Sequence, residues 1–268
     1  MSKNSQTVLL AKNLQDILYH IKTVSGLHVV GGCTEHCSLG EKSVTIRSVP
    51  ELKSFEKRER SLDVGPAVTL STLLDMGRTN IPTVLYDAIS TVATPAVRNI
   101  ATIGGNICAP GNRHTLWAPL LALDARLEFR SQNEIKSVPF RTFTEIPAGC
   151  ALTRIRIPLI EWEMALFRRV GPEHVMTPQS AGFVFLADAE KNIITNVRIA
   201  YAGAIVFRSR DLENRLIGAR LPLPEKTIDT LMEDAEKLYD TGIVSTAENR
   251  ILRFQFLNLL RYALEQLS

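Results

Sequence analysis

Residues 101–106 of this chain read ATIGGN, a short apolar run that ends in two consecutive glycines. A second pair, Gly31-Gly32, follows the apolar and β-prone run 27–30. Because they lack a Cβ, paired glycines can take positive φ and let their N–H groups approach a ligand closely. Both pairs therefore indicate a backbone that is open to the oxygens of a phosphate or pyrophosphate.

Polar but uncharged side chains accompany the two pairs. Thr34, Thr102 and Asn106 would add hydroxyl and amide hydrogen bonds, which position a cofactor and leave catalysis to its ring. Either glycine pair alone is more typical of a turn or bulge. The chain has no G-x-G-x-x-G fingerprint, no phosphate-binding P-loop and no G-x-S-x-G elbow, which disfavours Rossmann, P-loop and acyl-transfer hydrolase readings.

The bulk composition favours a soluble protein of two modest domains. The 268 residues are 45% hydrophobic and 22% charged, and 31 basic against 28 acidic residues leave a net charge of +3. That balance predicts no nucleic-acid partner. The chain shows neither a signal-peptide core nor a membrane-spanning run, so we expect a cytoplasmic protein whose four cysteines are reduced.

Hydrophobic periodicity predicts a mixed α and β fold. The first domain is expected to close near Pro158. The predicted helices cover 11–24, 83–93, 120–125, 225–239 and a last helix opened by the capping box at 245–248, and the predicted strands include 27–30, 43–46, 62–65, 126–129, 152–157, 181–186 and 193–201.

Residues 97–107, with the run LLALDA at 120–125, resemble the FAD-binding subunits of xanthine dehydrogenase and carbon monoxide dehydrogenase in the molybdenum hydroxylase family. Residues 29–35, VVGGCTE, resemble the family's first pyrophosphate loop. Residues 167–218 are similar to its C-terminal flavoprotein domain. The resemblance covers nearly the whole chain.

The resemblance implies an α+β chain with two domains. An FAD-binding domain of the PCMH or vanillyl-alcohol-oxidase type would occupy 1–160, with subdomains at about 1–60 and 61–160, and a small α+β domain like that of the CO dehydrogenase flavoprotein would occupy 161–268. The FAD pyrophosphate would lie between a first glycine segment, 30–35, and a second glycine segment, 101–106. The implied cofactor-binding residues are Val30, Gly31, Gly32, Cys33, Thr34, Glu35, Ala101, Thr102, Ile103, Gly104, Gly105, Asn106 and Thr115.

By the same resemblance, the chain is an oxidoreductase subunit that works in a heteromeric complex. Electrons would pass from the iron–sulfur clusters of a 2Fe-2S small subunit through FAD to an acceptor such as NAD. Substrate hydroxylation would occur on a molybdopterin-binding large subunit. Because the flavin performs the chemistry, no catalytic side chain and no metal site are expected in this chain.

The stretch 111–117, GNRHTLW, departs from the family pattern. Many members carry a Ser-Asp pair after the second glycine segment, whose acid contacts the sugar portion of the cofactor, but no aspartate lies between Asn106 and Asp124 here. Thr115 stands where the acid is expected, and a hydroxyl replaces only part of a carboxylate's hydrogen bonding. Contact of Arg113 or His114 with phosphate is one way to compensate, but an exposed cation in a loop is the commoner role for such residues. The missing acid motivates a second hypothesis, a flavin-free scaffold or assembly subunit.

A third hypothesis is a small metal-binding or redox-sensing module. Cys33 and Cys37 flank His36, and Cys108 lies just past the second glycine segment. The C-x-x-x-C spacing is not that of a standard zinc or iron–sulfur motif, and cysteine more often serves as a small buried apolar residue. We therefore favour the hypothesis of an FAD-binding oxidoreductase subunit.

Overall fold

The structure, a computed structural model, describes residues 7–35, 41–111, 113–242 and 247–267. The chain divides into two compact units that interleave along the sequence. The first unit comprises Met1–Ile81, Ala93–Ala109 and Asp124–Leu159, and the second comprises Pro82–Val92, Pro110–Leu123 and Ile160–Ser268. The functional division at residue 160 remains a prediction.

The described strands belong to three sheets. They are β1 (Thr7–Leu10), β2 (Leu27–Val30), β3 (Lys42–Thr45), β4 (Phe55–Lys57), β5 (Ser61–Val64), β6 (Arg126–Arg130), β7 (Ile135–Pro139), β8 (Ala151–Pro158), β9 (Met164–Val170), β10 (Ala181–Glu190), β11 (Ile193–Gly203) and β12 (Val206–Phe207).

The helices range from single turns to two long C-terminal helices. They are α1 (Leu14–Thr23), α2 (Pro50–Lys53), α3 (Leu70–Asp75), α4 (Thr83–Ser90), α5 (Pro95–Arg98), α6 (Ile103–Cys108), α7 (Trp117–Ala122), α8 (Arg210–Leu216), α9 (Glu225–Gly242) and α10 (Ala247–Glu265). Within the described residues, no helix combines the length and the apolar character needed to cross a bilayer.

Two sheets build the first unit. A parallel three-stranded sheet has the order β1-β3-β2, and an antiparallel five-stranded sheet has the order β4-β5-β8-β6-β7. Helix α1 connects β1 to β2; its Asn13 cap accepts a hydrogen bond from the N–H of Asp16, and its apolar side is buried. Ile17 and Leu18 of α1 pack with Val44 of β3 and Leu52 of α2 in one core.

The second unit is built on the antiparallel sheet β12-β11-β10-β9. Strand β10 begins AGFVFLA, and all seven of these residues are buried, so both faces of the strand are covered. On one face, Phe183 and Phe185 pack with Phe256 of α10 and with the other helices of the C-terminal core. Helix α7 lies against β10 and β11, where a Cβ on Gly182 would be 3.2 Å from that of Ala118.

The mixed α and β prediction is confirmed, with shifts at element ends. The helix predicted over 83–93 ends at Ser90, and that predicted at 120–125 begins earlier, at Trp117, and ends at Ala122. The paired strands at 181–186 and 193–201 are present and extend as β10 and β11 to Glu190 and Gly203. The proposed capping residues 245 and 246 lie outside the described residues, and α10 is described from Ala247.

Candidate functional site

The first glycine segment leaves the carboxyl end of the parallel strand β2. The last ladder bond runs from the N–H of Ile46 to the carbonyl of Val30, and the chain then leaves the sheet. Cys33 has a φ of 50°, in the left-handed region, and Cys33, Thr34 and Glu35 are exposed. Within the described parts of the chain, the N–H groups of residues 31–34 donate to no protein acceptor.

The second glycine segment has the opposite character, because it opens the short helix α6. Thr102 is the N-cap, and its hydroxyl oxygen accepts from the N–H of Gly105 at 3.1 Å. The N–H of Asn106 donates to the carbonyl of Thr102, and those of Ile103 and Gly104 donate to the carbonyls of Val68 and Pro66, each at 3.0 Å. The four amides at the start of α6 are therefore satisfied inside the protein.

Close packing accounts for the paired glycines. Positive φ does not, because none of Gly31, Gly32, Gly104 and Gly105 is among the glycines with positive φ. A Cβ on Gly32 would lie 2.1 Å from the carbonyl oxygen of Ile100, and one on Gly104 would lie 2.5 Å from the Cβ of Pro66. The chain needs glycine at these positions because the backbone passes so close to its neighbours.

The structure brings the two glycine segments together, as we expect if one pyrophosphate lies between them. A Cβ on Gly31 would lie 2.7 Å from the Thr102 hydroxyl oxygen, although the two residues are 71 positions apart. In the second segment Ala101, Thr102, Ile103 and Gly104 are buried, whereas Gly105 and Asn106 are partly exposed. Most of the second segment is therefore buried, and it packs against the first segment.

Thr115 is placed differently, in the second unit. Its side chain is 4% exposed, and its hydroxyl approaches the sulfur of Met176 at 3.8 Å. The guanidinium of Arg113 stacks over the Trp117 ring at 4.2 Å, which engages its charge with an aromatic face. The role of Thr115 as a substitute for the missing acid stays a prediction.

The loop Gly65–Thr69 is a part of the site that sequence reasoning missed. Its carbonyls at Pro66 and Val68 accept the first two N–H groups of α6, and Thr69 bridges to Thr102 in an antiparallel pair. Nothing in GPAVT marks these roles, since they depend on long-range backbone contacts. The Thr102 cap, by contrast, has a local signal, because threonine is one of the residues that commonly cap a helix and accept the N–H three positions later.

The described cysteines, Cys33, Cys108 and Cys150, form no disulfide. Among the described residues no group of three His, Cys, Asp or Glu side chains lies close enough to hold a metal ion. Cys37 and His36, which the third hypothesis also uses, lie outside the described residues. The donor set around the first glycine segment consists of backbone N–H groups and the Thr34 hydroxyl, which suit anionic oxygen ligands.

Comparison with protein families and curated relatives gives consistent matches. A family model described as the FAD binding domain in molybdopterin dehydrogenase matches residues 3–160. The xanthine dehydrogenase FAD-binding subunit of Escherichia coli O157:H7 is 35% identical over 112 residues, which is 41% of this chain and 38% of the relative. Subunit alpha of the 6-hydroxypseudooxynicotine dehydrogenase complex of Paenarthrobacter nicotinovorans is 26% identical over 190 residues, 66% of this chain and 64% of the relative. The match thus spans less than half the length of the Escherichia coli relative.

Two solved structures share the fold along the whole chain. A chain of the Cu,Mo-CO dehydrogenase, in its cyanide-inactivated form, superposes with a TM-score of 0.85 and 17% identity, covering 100% of this chain and 99% of that one. A chain of quinoline 2-oxidoreductase from Pseudomonas putida 86 gives 0.80 and 18%, covering 100% and 96%. At these identities the likeness establishes the fold.

Proposed function

The chain belongs to the family of FAD-binding domains of molybdopterin dehydrogenases, whose cofactor is FAD, and we propose that it serves as the FAD-binding electron-transfer subunit of a molybdenum hydroxylase complex. The observation that carries this proposal is the contrast between the two glycine segments. The N–H groups of residues 31–34 in the first have no acceptor among the described residues, whereas the second has its amides bonded inside the protein and packs against the first.

The residues of the first glycine segment fit a pyrophosphate. Successive N–H groups from Gly31 to Thr34, with Cys33 in the left-handed region, resemble the concave arrangements of backbone donors that bind anions. The absence of side chains at Gly31 and Gly32 lets this stretch of backbone lie directly against Thr102 and Ile100. Thr34 is exposed and adds a hydroxyl donor.

FAD, when bound, supplies the redox chemistry, since its ring can exchange electrons singly and in pairs. The residues of this chain bind and orient it. In our proposal residues 31–34 hold the pyrophosphate through neutral donors, and Thr102, Gly104 and Gly105 keep those donors in place. No side chain of the two segments is assigned a proton-transfer role.

We further propose that the chain acts with a molybdopterin-binding large subunit and a 2Fe-2S small subunit, with NAD as a candidate acceptor, in the cytoplasm. Support comes from relatives that are parts of larger assemblies: the Paenarthrobacter nicotinovorans protein is a subunit of a complex, and a glyceraldehyde dehydrogenase medium chain of Sulfolobus acidocaldarius is 25% identical over 223 residues. Purification from the native source, followed by analysis for molybdenum and iron, tests this partnership.

The FAD proposal is tested by titrating the purified chain with FAD and following flavin absorbance and fluorescence, with release of the cofactor on denaturation. Thr34→Asp places a carboxylate among the proposed pyrophosphate donors, and we expect at least about tenfold weaker binding, the equivalent of roughly 1.4 kcal/mol. Thr142→Asp is the matched control, because Thr142 is an exposed threonine of the same unit outside the glycine segments.

Two outcomes would contradict the proposal. Wild-type protein that takes up no flavin after incubation with FAD would favour the scaffold or assembly role suggested by the missing acid. Equal FAD affinities for Thr34→Asp, Thr142→Asp and wild type would show that the first glycine segment does not hold the pyrophosphate.

A further inference from the structure

Among the described residues, the hydroxyl oxygen of Thr102 is the one side-chain atom that closely approaches a glycine of each segment. In the second segment it accepts the N–H of Gly105 at 3.1 Å, and a Cβ on Gly105 would also lie 3.1 Å from it. In the first segment a Cβ on Gly31 would lie 2.7 Å from the same oxygen. This one side-chain oxygen therefore lies between the two segments, next to the backbone contact of Gly32 with Ile100.

The oxygen has little freedom to move. Thr102 is 2% exposed, and rotation about its Cα–Cβ bond would break the cap and bring another substituent toward Gly31. The backbone of Thr102 is held as well, by its bridge to Thr69 and by the bond from the N–H of Asn106 to its carbonyl. The hydroxyl thus acts as a fixed spacer.

The obstruction at Gly31 comes from this hydroxyl alone. The next nearest atoms to a Cβ there are the Cβ and Cγ2 of Thr102, both at 3.8 Å, an ordinary van der Waals separation. Gly32 differs, because its obstruction is the Ile100 carbonyl group, which belongs to the backbone. Removing one oxygen would make room at position 31 and would leave position 32 as crowded as before.

From these contacts we propose that Thr102 is a positioning residue, whose hydroxyl, together with the backbone contact at Gly32, sets the separation of the two glycine segments and so the place of the N–H groups of residues 31–34. This inference rests on the proposed function, because those N–H groups are the proposed pyrophosphate donors. It gives the Thr102 hydroxyl a role inside the protein and no direct bond to the cofactor.

The test compares Thr102→Ala, Thr102→Ser, Gly31→Ala and the double variant Gly31→Ala/Thr102→Ala. The two measurements are the dissociation constant for FAD and the urea midpoint of the FAD-free chain. Thr102→Ala should weaken FAD binding about tenfold, the equivalent of roughly 1.4 kcal/mol, whereas Thr102→Ser keeps the cap and should stay within about threefold of wild type.

The double variant reports the contact directly. Gly31→Ala alone should weaken FAD binding and lower the urea midpoint, but it should cost almost nothing further once Thr102 is alanine, because the obstructing oxygen is gone. Gly32→Ala is the control for this rescue: its loss should persist in the Thr102→Ala background, since the Ile100 carbonyl remains.

A second control separates positioning from general stability. Thr94→Ala removes the N-cap of α5, where the Thr94 hydroxyl accepts from the N–H of Val97, in the same unit. It should lower the urea midpoint by a similar amount and leave FAD affinity at the wild-type value. If it weakens FAD binding as much as Thr102→Ala does, Thr102 contributes only stability and the inference is wrong.

The remaining outcomes distinguish failure of the positioning role from failure of the proposed function. Wild-type affinity in Thr102→Ala, or additive losses in the double variant, would overturn the positioning role while leaving the proposed function in place. Failure of the wild-type chain itself to bind FAD would contradict the proposed function, and the positioning role with it.

Discussion

Asp63 of β5 and Arg156 of β8 form a two-point ion pair across the five-stranded sheet, with 2.7 Å from Nε to Oδ1 and 2.8 Å from Nη2 to Oδ2. Asp63 is 3% exposed, and Arg58 and Arg154 each come within 3.7 Å of its carboxylate. The hydrogen bonds from Arg156 lower the pKa of Asp63, against the opposing effect of burial.

We predict that Asp63→Asn lowers the free energy of unfolding by about 1–3 kcal/mol at neutral pH. Because the folded pKa is depressed, the stabilisation is present above the unfolded pKa of about 4 and is lost as pH falls through the folded pKa. Urea unfolding at neutral and acid pH should show the variant and wild type converging at low pH. A constant difference across the range would contradict this origin.

The buried pair of Arg208 and Glu213 is expected to contribute more to stability than the pair of Asp63 and Arg156. The side chains are 7% and 4% exposed, the Nε of Arg208 lies 2.9 Å from the Glu213 carboxylate, and Glu213 also accepts the N–H of Ile199. Glu213→Ala removes a buried carboxylate that accepts from both Arg208 and the N–H of Ile199, so we expect a loss of about 3–5 kcal/mol in the free energy of unfolding.

The matched control for that variant is Glu134→Ala. Glu134 pairs with Lys136 at 3.1 Å, but both side chains are more than half exposed. An exposed pair of this kind contributes about 0–1 kcal/mol. Equal losses from Glu213→Ala and Glu134→Ala in urea unfolding would show that burial does not strengthen the dependence on Glu213.

Two buried tyrosines in the C-terminal core should respond oppositely to loss of the hydroxyl. The hydroxyl of Tyr239 has no hydrogen-bond partner among the described residues, whereas that of Tyr201 lies 3.3 Å from Oε1 of Gln255. Tyr239→Phe should be neutral or stabilising by up to about 1 kcal/mol, and Tyr201→Phe should cost about 0.5–1.5 kcal/mol. Thermal unfolding of the two variants tests this order.

Burial raises the pKa of both Tyr201 and Tyr239. Their neutral forms therefore stabilise the fold fully below the unfolded tyrosine pKa of about 10, and this stabilisation is lost as pH rises further. In an alkaline titration followed by tyrosinate absorbance, two of the five tyrosines should ionise only when the chain unfolds. Ionisation of all five before unfolding would contradict their burial.

Hydrogen exchange should distinguish the two glycine segments. The amides of residues 31–34 have no acceptor in the part of the chain that the structure describes and should exchange rapidly, whereas those of 103–106 are hydrogen-bonded and should be protected. Addition of FAD should slow exchange in the first segment and change the second little. A protection gain confined to residues 103–106 would instead assign the pyrophosphate donors to α6.

Much of the fold could be predicted from local pattern. The amphipathic spacing of Ile17 and Leu18 indicated α1, and the alternating runs around a polar turn indicated β10 and β11. Short elements are harder to predict from the sequence. Helix α6 begins with Ile103-Gly104-Gly105, and because glycine is a poor helix former the sequence does not reveal a helix there.

The sequence by itself determined the family, the mixed α and β class and the two glycine segments, because these depend on residue types at fixed spacing. Only the tertiary structure decided which of the two segments has its backbone N–H groups already bonded inside the protein. The acceptors of the α6 amides lie at Pro66 and Val68, and the atom that requires glycine at position 31 belongs to Thr102. Such contacts join residues far apart in the chain, so no local pattern predicts whether a backbone N–H is already bonded or remains open to a ligand.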